Sequence, residues 1–157
     1  MKRKQILVLI IFLAISLKLI SQNSIDYQSI RNDKVHNTCV KPTLEGADLT
    51  IKDLSAIDTS KIIKGLYEYW FDMGMSYYMK ALMFKQDEFR YKDIECFNKC
   101  VRINKKNSDA YRNLANCYYF YKKYDLVKVN LELYKKYCGK KYLDKGFIAQ
   151  MEKLIKK

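Results

Sequence analysis

The chain has a single proline and 5 glycines among its 157 residues. Short strands joined by tight turns need many more of both, so an all-β architecture is excluded at the outset. Histidine occurs once, at His36. There is no H-E-x-x-H, no glycine-rich phosphate loop and no nucleophile elbow, so the residue sets that build metallohydrolases, nucleotide enzymes and serine hydrolases are missing. Acids such as Asp93 and Glu95 lie in amphipathic stretches without an evident catalytic partner. The expectation is no enzyme and no cofactor. Long apolar runs are also scarce. The one present, "ILVLIIFLAISL" at 6 to 17, is broken by Lys18 short of the roughly 20 residues a spanning helix needs.

With "MKRK" before it and "SQNS" after it, that run reads as a secretory signal peptide over residues 1 to 21, a retained N-terminal anchor being the alternative. No cysteine stands near the expected cut, so a lipid anchor is not expected there. Export places the protein in the periplasm or cell envelope, or outside the cell, and leaves it little access to nucleic acid, which is not expected as a partner.

What the sequence does have is helical periodicity. Hydrophobic residues make up 49% of it and charged ones 30%, and Lys, Leu, Ile, Tyr and Met, which suit long helices, are prominent. In "AYRNLANCYYFYKKYD", residues 110 to 125, Tyr111, Leu114, Ala115 and Tyr118 fall at i, i+3, i+4 and i+7, on one helical face. After a three-residue break, Tyr124, Val127, Leu131 and Tyr134 repeat the pattern. So short a connection requires antiparallel helices. Asn107 or Ser108 can cap the first and Gly139 can end the second. The rings of Tyr111, Tyr118 and Tyr124 are expected in the core, because a base-stacking platform needs them exposed beside a basic groove.

These positions, from Tyr111 to Tyr134, resemble the tetratricopeptide repeat, a 34-residue helix-turn-helix unit read as W-x2-L-G-x2-Y, then A-x3-F, then P. Upstream, "DIECFNKCVRIN" is similar to the second half of another unit, with Asp93, Phe97 and Cys100 where Ala, Phe and Ala are usual. Lys105 and Gly139 stand where the closing prolines would be. "WFDMGMSYY" matches the opening pattern through Trp70, Met73, Gly74 and Tyr77, but seven residues early; Tyr77, Ala81 and Phe84 fill the slots of the expected register. One lengthened helix accommodates both, with Gly74 and Ala81 allowing close approach of another helix. The expected helices run from about 60 to 85, 88 to 104, 108 to 121, 124 to 138 and 141 to 156, the last turning Phe147, Met151 and Leu154 inward. The resemblance, over about residues 66 to 157, implies an all-α fold of stacked antiparallel hairpins, a short solenoid with a C-terminal capping helix. Residues 22 to 59 are then an extended or linker segment before a helical domain at 60 to 157.

The same resemblance implies a function in protein–protein interaction or scaffolding, with a protein or peptide held on the other face of each unit's first helix. Those positions are Glu68, Phe71, Met75, Tyr78 and Leu82 in one unit and Asp109, Arg112, Asn116 and Tyr119 in the next. Arg112 and Asn116 resemble half of the carboxylate clamp of chaperone-binding members, but Phe71 and Met75 stand where its further basic residues would be. Residues 62 to 84 carry apolar side chains all the way round, so a second face needs a cover. Three covers are open: Leu49, Ile51, Leu54 and Ile57 in cis, a second copy of the chain, or a foreign partner. Asp93, in a close-packing slot, is expected to turn outward and bring Ile94 in.

Of the net charge of +13, Lys2, Arg3, Lys4 and Lys18 account for four, while residues 121 to 157 hold eleven lysines against four acids. That basic end is either a solvated surface or an attraction to an anionic membrane or glycan. The five cysteines either pack as small apolar residues or, Cys39 with a helical partner, form a disulfide in the oxidising compartment. His36, Cys39, Cys96 and Cys100 lack the tight spacing of a zinc site.

Overall fold

The computed structural model describes residues 24–35 and 43–155; the signal segment at 1 to 21, His36 and Cys39 lie outside them. In chain order come strand β1 (Ile25–Asp26), helices α1 (Tyr27–Lys34) and α2 (Leu44–Ser55), strand β2 (Ile62–Lys64), then α3 (Leu66–Tyr78), α4 (Lys92–Ile103), α5 (Ser108–Phe120), α6 (Tyr124–Tyr137) and α7 (Lys145–Leu154). The protein is all-α. Among the described residues two strands pair with each other, in parallel, with Ile25 opposite Ile62. Among the described residues no helix is long and apolar enough to cross a membrane.

The helix expected from about Ser60 begins at Leu66, because Gly65 before it has φ +84, a left-handed turn no continuing helix permits. A Cβ at Gly65 would also sit 3.0 Å from the Gln28 backbone nitrogen, so the glycine lets β2 run close to the start of α1. At its far end α3 widens into a π turn over Met79–Met83, closed by the Phe84 N–H donating to the Met79 carbonyl at 2.9 Å. The helix expected from about 88 begins at Lys92, after a short 3-10 turn at Asp87–Phe89 and a left-handed Tyr91 with φ +69. The last helix begins at Lys145, where the Asp144 carboxylate accepts from the Phe147 N–H at 2.9 Å. Asn107 caps α5 in the same way, accepting from the Ala110 N–H at 2.9 Å.

Within 22 to 59, where an extended or linker segment was expected, the described residues include the helices α1 and α2. Thr43 caps α2 through the Gly46 N–H, and Ala47 and Leu54 on its inner face are fully buried. The Tyr69 hydroxyl donates to the Leu54 carbonyl at 3.1 Å, and the buried Lys80 amine meets Asp48 while lying 4.0 Å above the Phe89 ring. From α1, Tyr27 is fully buried and Arg31 forks onto Asp72. The cis cover therefore exists, but over the Tyr69 and Met73 side of α3, with Cys96 of α4 in the same cluster. Ile51 and Ile57 join it, whereas Leu49 stays exposed.

Side-chain pairs fix the helix directions. Trp70 lies under Lys99 and Tyr77 under Lys92, so α3 and α4 run antiparallel. Tyr111 stacks on Tyr137 at 5.7 Å and Tyr119 meets Tyr124 at 6.2 Å, so α5 and α6 do likewise. Between α4 and α5, Tyr91 meets Tyr121 at one end and Asn107 meets Cys100 at the other. The main core lies among α4, α5, α6 and α7, with Phe97, Leu114, Val127, Leu131, Tyr134 and Met151 closed from solvent. A Cβ at Gly74 would stand 2.8 Å from the Phe97 ring, which is why α3 can approach α4 so closely there. Tyr111 is in this core; Tyr118 is half-buried. Tyr124, the first residue of α6, lies against Tyr119 and is exposed. Gly139 ends nothing: α6 stops at Tyr137 with an extended Cys138.

Asp93 is not turned outward. It is fully buried beside Ile94, which is buried as well. One carboxylate oxygen accepts from the Ile94 N–H at 2.7 Å and the other from the Tyr121 hydroxyl at 3.3 Å, with the Cys117 thiol as a further donor. No basic group lies within ion-pairing distance among the described residues. Burial pushes the Asp93 carboxyl above its usual range, more than these hydrogen bonds pull it down. A folded-state pKa above the unfolded value contributes stability that is whole below the unfolded pKa of about 3.9 and is lost as pH rises through the folded one. Asp93→Asn keeps the acceptor for Ile94 and removes the charge. Urea midpoints measured from pH 4 to 7 should therefore fall less with rising pH in Asp93→Asn than in the parent; parallel curves would refute the assignment.

Cys96, Cys100 and Cys117 are buried free thiols and Cys138 is half-buried. Burial pushes Cys96 and Cys100 up to about 12, so they remain protonated and pack as small apolar groups. Cys39 and its pairing lie outside the described residues.

Candidate functional site

Three hollows among the described residues follow α3 and α5, and α7 walls the middle one. The middle hollow, about 330 Å³, takes Tyr78 from α3, Arg112, Asn116 and Phe120 from α5, and Phe147 and Met151 from α7. The other two flank it. One, about 250 Å³, is lined by Arg31, Tyr67, Glu68, Phe71, Asn107 and Asp109. The other, about 380 Å³, is lined by Ala81, Leu82, Lys85, Asp87, Arg90, Phe120 and Tyr121. Phe120, 52% exposed, forms the wall shared by the middle hollow and the one of about 380 Å³.

Helical spacing explains how residues so distant in sequence converge. Arg112, Asn116 and Phe120 are each four apart and rise along one edge of α5. Their opposite edge, Tyr111, Leu114 and Ala115, is held in the core, so their direction is fixed by burial. On α3 and the π turn that continues it, Phe71, Met75, Tyr78 and Leu82 lie four, three and four apart on the side away from the α1 and α2 cover, half-buried against the main core. The Phe71 ring rests 5.7 Å from that of Phe97.

The polar groups of the middle hollow are engaged with one another. The Asn116 amide donates to the Tyr78 hydroxyl at 2.5 Å, and burial pushes the Tyr78 phenol up to about 12. The Arg112 guanidinium pairs with Asp144 at 2.7 Å and lies 4.8 Å over the Phe147 ring, while its Nε is buried without a partner. The Asp144 carboxyl is held below the usual range, first by the Phe147 N–H and also by Arg112. An arginine and an amide so occupied do not form a free carboxylate clamp. The hollow offers ring faces beside two paired polar sets, Tyr78 with Asn116 and Arg112 with Asp144.

Nine positions were expected to face a groove. Tyr78, Arg112 and Asn116 meet in the middle hollow, while Glu68, Phe71, Asp109 and Leu82 line the flanking ones. Met75 faces the core beneath, and Tyr119 lines none of the three, its ring lying against Phe120 and Tyr124. The sequence reading missed Phe120 and Asp144, and it placed Phe147 in the core alone. Asp144 had a signal: an aspartate three residues ahead of an apolar run is an N-cap pattern, and a cap fixes where its other carboxylate oxygen points. Among the described residues no group of three His, Cys, Asp or Glu side chains is placed to hold a metal. Compared with protein-family models, with curated proteins and with solved structures, the chain matches none.

Proposed function

We propose that the chain is an exported, non-catalytic interaction module of the tetratricopeptide type, which holds a segment of a protein partner along the α3, α5 and α7 line. One observation carries this reading: three helices that follow one another only through long detours place Tyr78, Phe120 and Phe147 around one hollow, beside polar groups of which Tyr78 pairs with Asn116 and Arg112 with Asp144. Partly exposed aromatic rings converging on one hollow are what anchors of a protein interface look like before the partner arrives. The antiparallel α3–α4 and α5–α6 pairs, with α7 over the last of them, support the repeat resemblance and the stacked arrangement it implies. The signal-peptide reading of residues 1 to 21 supports export.

The test is a selection of random linear peptides on the full chain. Selected peptides should lose at least about tenfold in affinity against Phe120→Ala and Phe147→Ala, as truncation of a buried aromatic anchor does. Val129→Ala, on the outside of α6, should leave them unchanged. Peptides that bind all three variants alike would refute the proposed site.

A second reading has its own support. On the outside of α6, Leu126 and Val129 are 42% and 54% exposed, next to Lys122, Lys123 and Lys128, none of which meets a carboxylate among the described residues. An apolar strip edged with lysines suits an anionic envelope or glycan surface. In that case added salt, and not Phe120→Ala, would abolish binding.

A further inference from the structure

Beneath α1 the surface of α3 carries two carboxylates one turn apart, Glu68 and Asp72, 9% and 0% exposed. Like charges at this spacing repel, and burial takes both largely out of water. One guanidinium serves the two. Arg31 meets Asp72 through two contacts of 2.6 Å, whereas Glu68 has the neutral Gln28 amide at 2.5 Å and no basic side chain within ion-pairing distance among the described residues.

The ties of α1 are therefore mostly polar, and mismatched in charge. Of its eight residues Tyr27 alone is closed from solvent. A helix so short does not hold its own shape in water, so α1 forms on the surface that receives it. The further contacts, Lys34 with Asp53 at 3.9 Å and Lys64 with Asp26 at 3.3 Å, join partly exposed groups for which water competes. A segment with one closed side chain and partly solvated ion pairs belongs to the low-stability end of a fold and opens before the rest.

Freed of α1, the face presents Asp72 and Glu68 beside the ring of Tyr69, which in the closed state meets the Tyr27 ring edge-on at 5.6 Å. Arg31 is also the α1 wall of the hollow of about 250 Å³, so without α1 that hollow and the uncovered face become one groove. α1 is itself a seated occupant of this groove and shows what fits there: a ring whose hydroxyl donates to Asp72 at 2.9 Å and, four residues on, a guanidinium for the same carboxylate. It also shows what would fit better. A basic side chain in the place of Gln28 gives Glu68 the opposite charge it lacks.

We propose that α1 is an autoinhibitory strap: it fills, as an imperfect match, a groove on α3 that takes a helical segment of a partner protein bearing an aromatic residue and, one and four positions after it, basic residues. Such a segment displaces α1 because it neutralises Glu68 as well as Asp72. The groove lies on the other side of α3 from the middle hollow and does not depend on what that hollow binds.

The test adds to the full chain, in trans, a fluorescent peptide of residues 24–35, as it stands or with Gln28→Lys. By anisotropy both peptides should bind the Arg31→Met chain at least about tenfold more tightly than the parent chain, whose own strap competes for the groove. The Gln28→Lys peptide should bind at least about fivefold more tightly than the unaltered one, and a peptide with Arg31→Met should not be captured. Nitrogen-15 shifts at the Tyr69 and Asp72 amides should place the peptide. In the chain itself Gln28→Lys should slow amide exchange of α1 and weaken peptide capture, each by about fivefold, which keeps the test decisive if Arg31→Met loosens more than α1. Equal affinity with and without the peptide's arginine, no capture by the Arg31→Met chain, or α1 amides that exchange only together with those of α5 and α6 would overturn the strap. So would a parent chain that sediments as a dimer with α1 exchanged between copies, which would assign the groove to a second copy. Phe120→Ala and Phe147→Ala should leave this capture unchanged, so it stands or falls apart from the interaction reading of the middle hollow.

Discussion

Truncating Phe97 to alanine lowers the unfolding free energy by about 4 kcal/mol, at the upper end for a single buried side chain. The size follows from what surrounds the ring. Phe97 is fully buried in the main core, tilted against Phe71, with the backbone of α3 brought so close at Gly74 that a methyl group would not fit between. A cavity closes cheaply when flexible side chains can fall into it; here one wall is helix backbone, so the space stays open and the lost contacts are not regained. Urea unfolding should show the midpoint moving with the slope unchanged. A loss below about 1.5 kcal/mol would mean that the ring is not enclosed and that α3 and α4 do not meet as described. The same substitution removes the floor under Phe71, so the effect also reaches the hollow that Glu68 lines.

Periodicity made the second half of the chain legible. Tyr111, Leu114 and Ala115, then Val127, Leu131 and Tyr134, are spaced for one face each and are buried on that face. Such residues report their own direction, since a helix with one apolar side has one way to lie. The first half was harder because α3 is apolar on two sides and spacing alone cannot say which neighbour covers which. The cover lies on the Tyr69 and Met73 side, supplied by α1 and α2, whose composition reads as loop. Short helices with few apolar residues owe their structure to the surface they land on, and sequence windows do not contain that surface. The π turn at Met79–Met83 gave no local signal either, because an added residue in a helix changes phase without changing composition.

Polar placement followed the same division. Arg112 and Asn116 were readable as a pair four apart, but not their engagement by Asp144 and Tyr78, thirty-two and thirty-eight positions away. Asp93 was misjudged for a related reason. A charge in a packing slot looks like an error of register until the donors that make it tolerable, Tyr121 and Cys117, are brought beside it from α5 and the turn that follows. Buried acids are settled by their partners, and partners are long-range facts.

Replacing Arg31 by methionine loosens the N-terminal cover by about 3 kcal/mol, within the range for stranding one member of a buried pair. Asp72 has no exposure at all, and its two oxygens are matched by Arg31 Nε and Nη2 at 2.6 Å each, with the Tyr27 hydroxyl donating at 2.9 Å. Arg31 is itself partly solvated, so removing it spares little desolvation while leaving the carboxylate with one neutral donor in a closed space. Tyr27, whose phenol is pushed far up by burial and then by Asp72, cannot make good the missing positive charge. The loss should be local before it is global. Tyr27 is the only residue of α1 that is fully closed from solvent, so that helix holds to α3 through Tyr27 and Arg31. Amide exchange in Tyr27–Lys34 should therefore quicken by about a hundredfold in Arg31→Met, while the amides of α5 and α6 keep the parent's protection. The double variant Arg31→Met with Asp72→Leu should recover most of the loss, because neither charge is then stranded and the two apolar chains can share the space. Recovery would show that the pair's role is to orient the cover, with burial of Tyr27 and Leu54 supplying the binding energy; a double variant no better than the single one would show that the ion pair itself holds α1 in place.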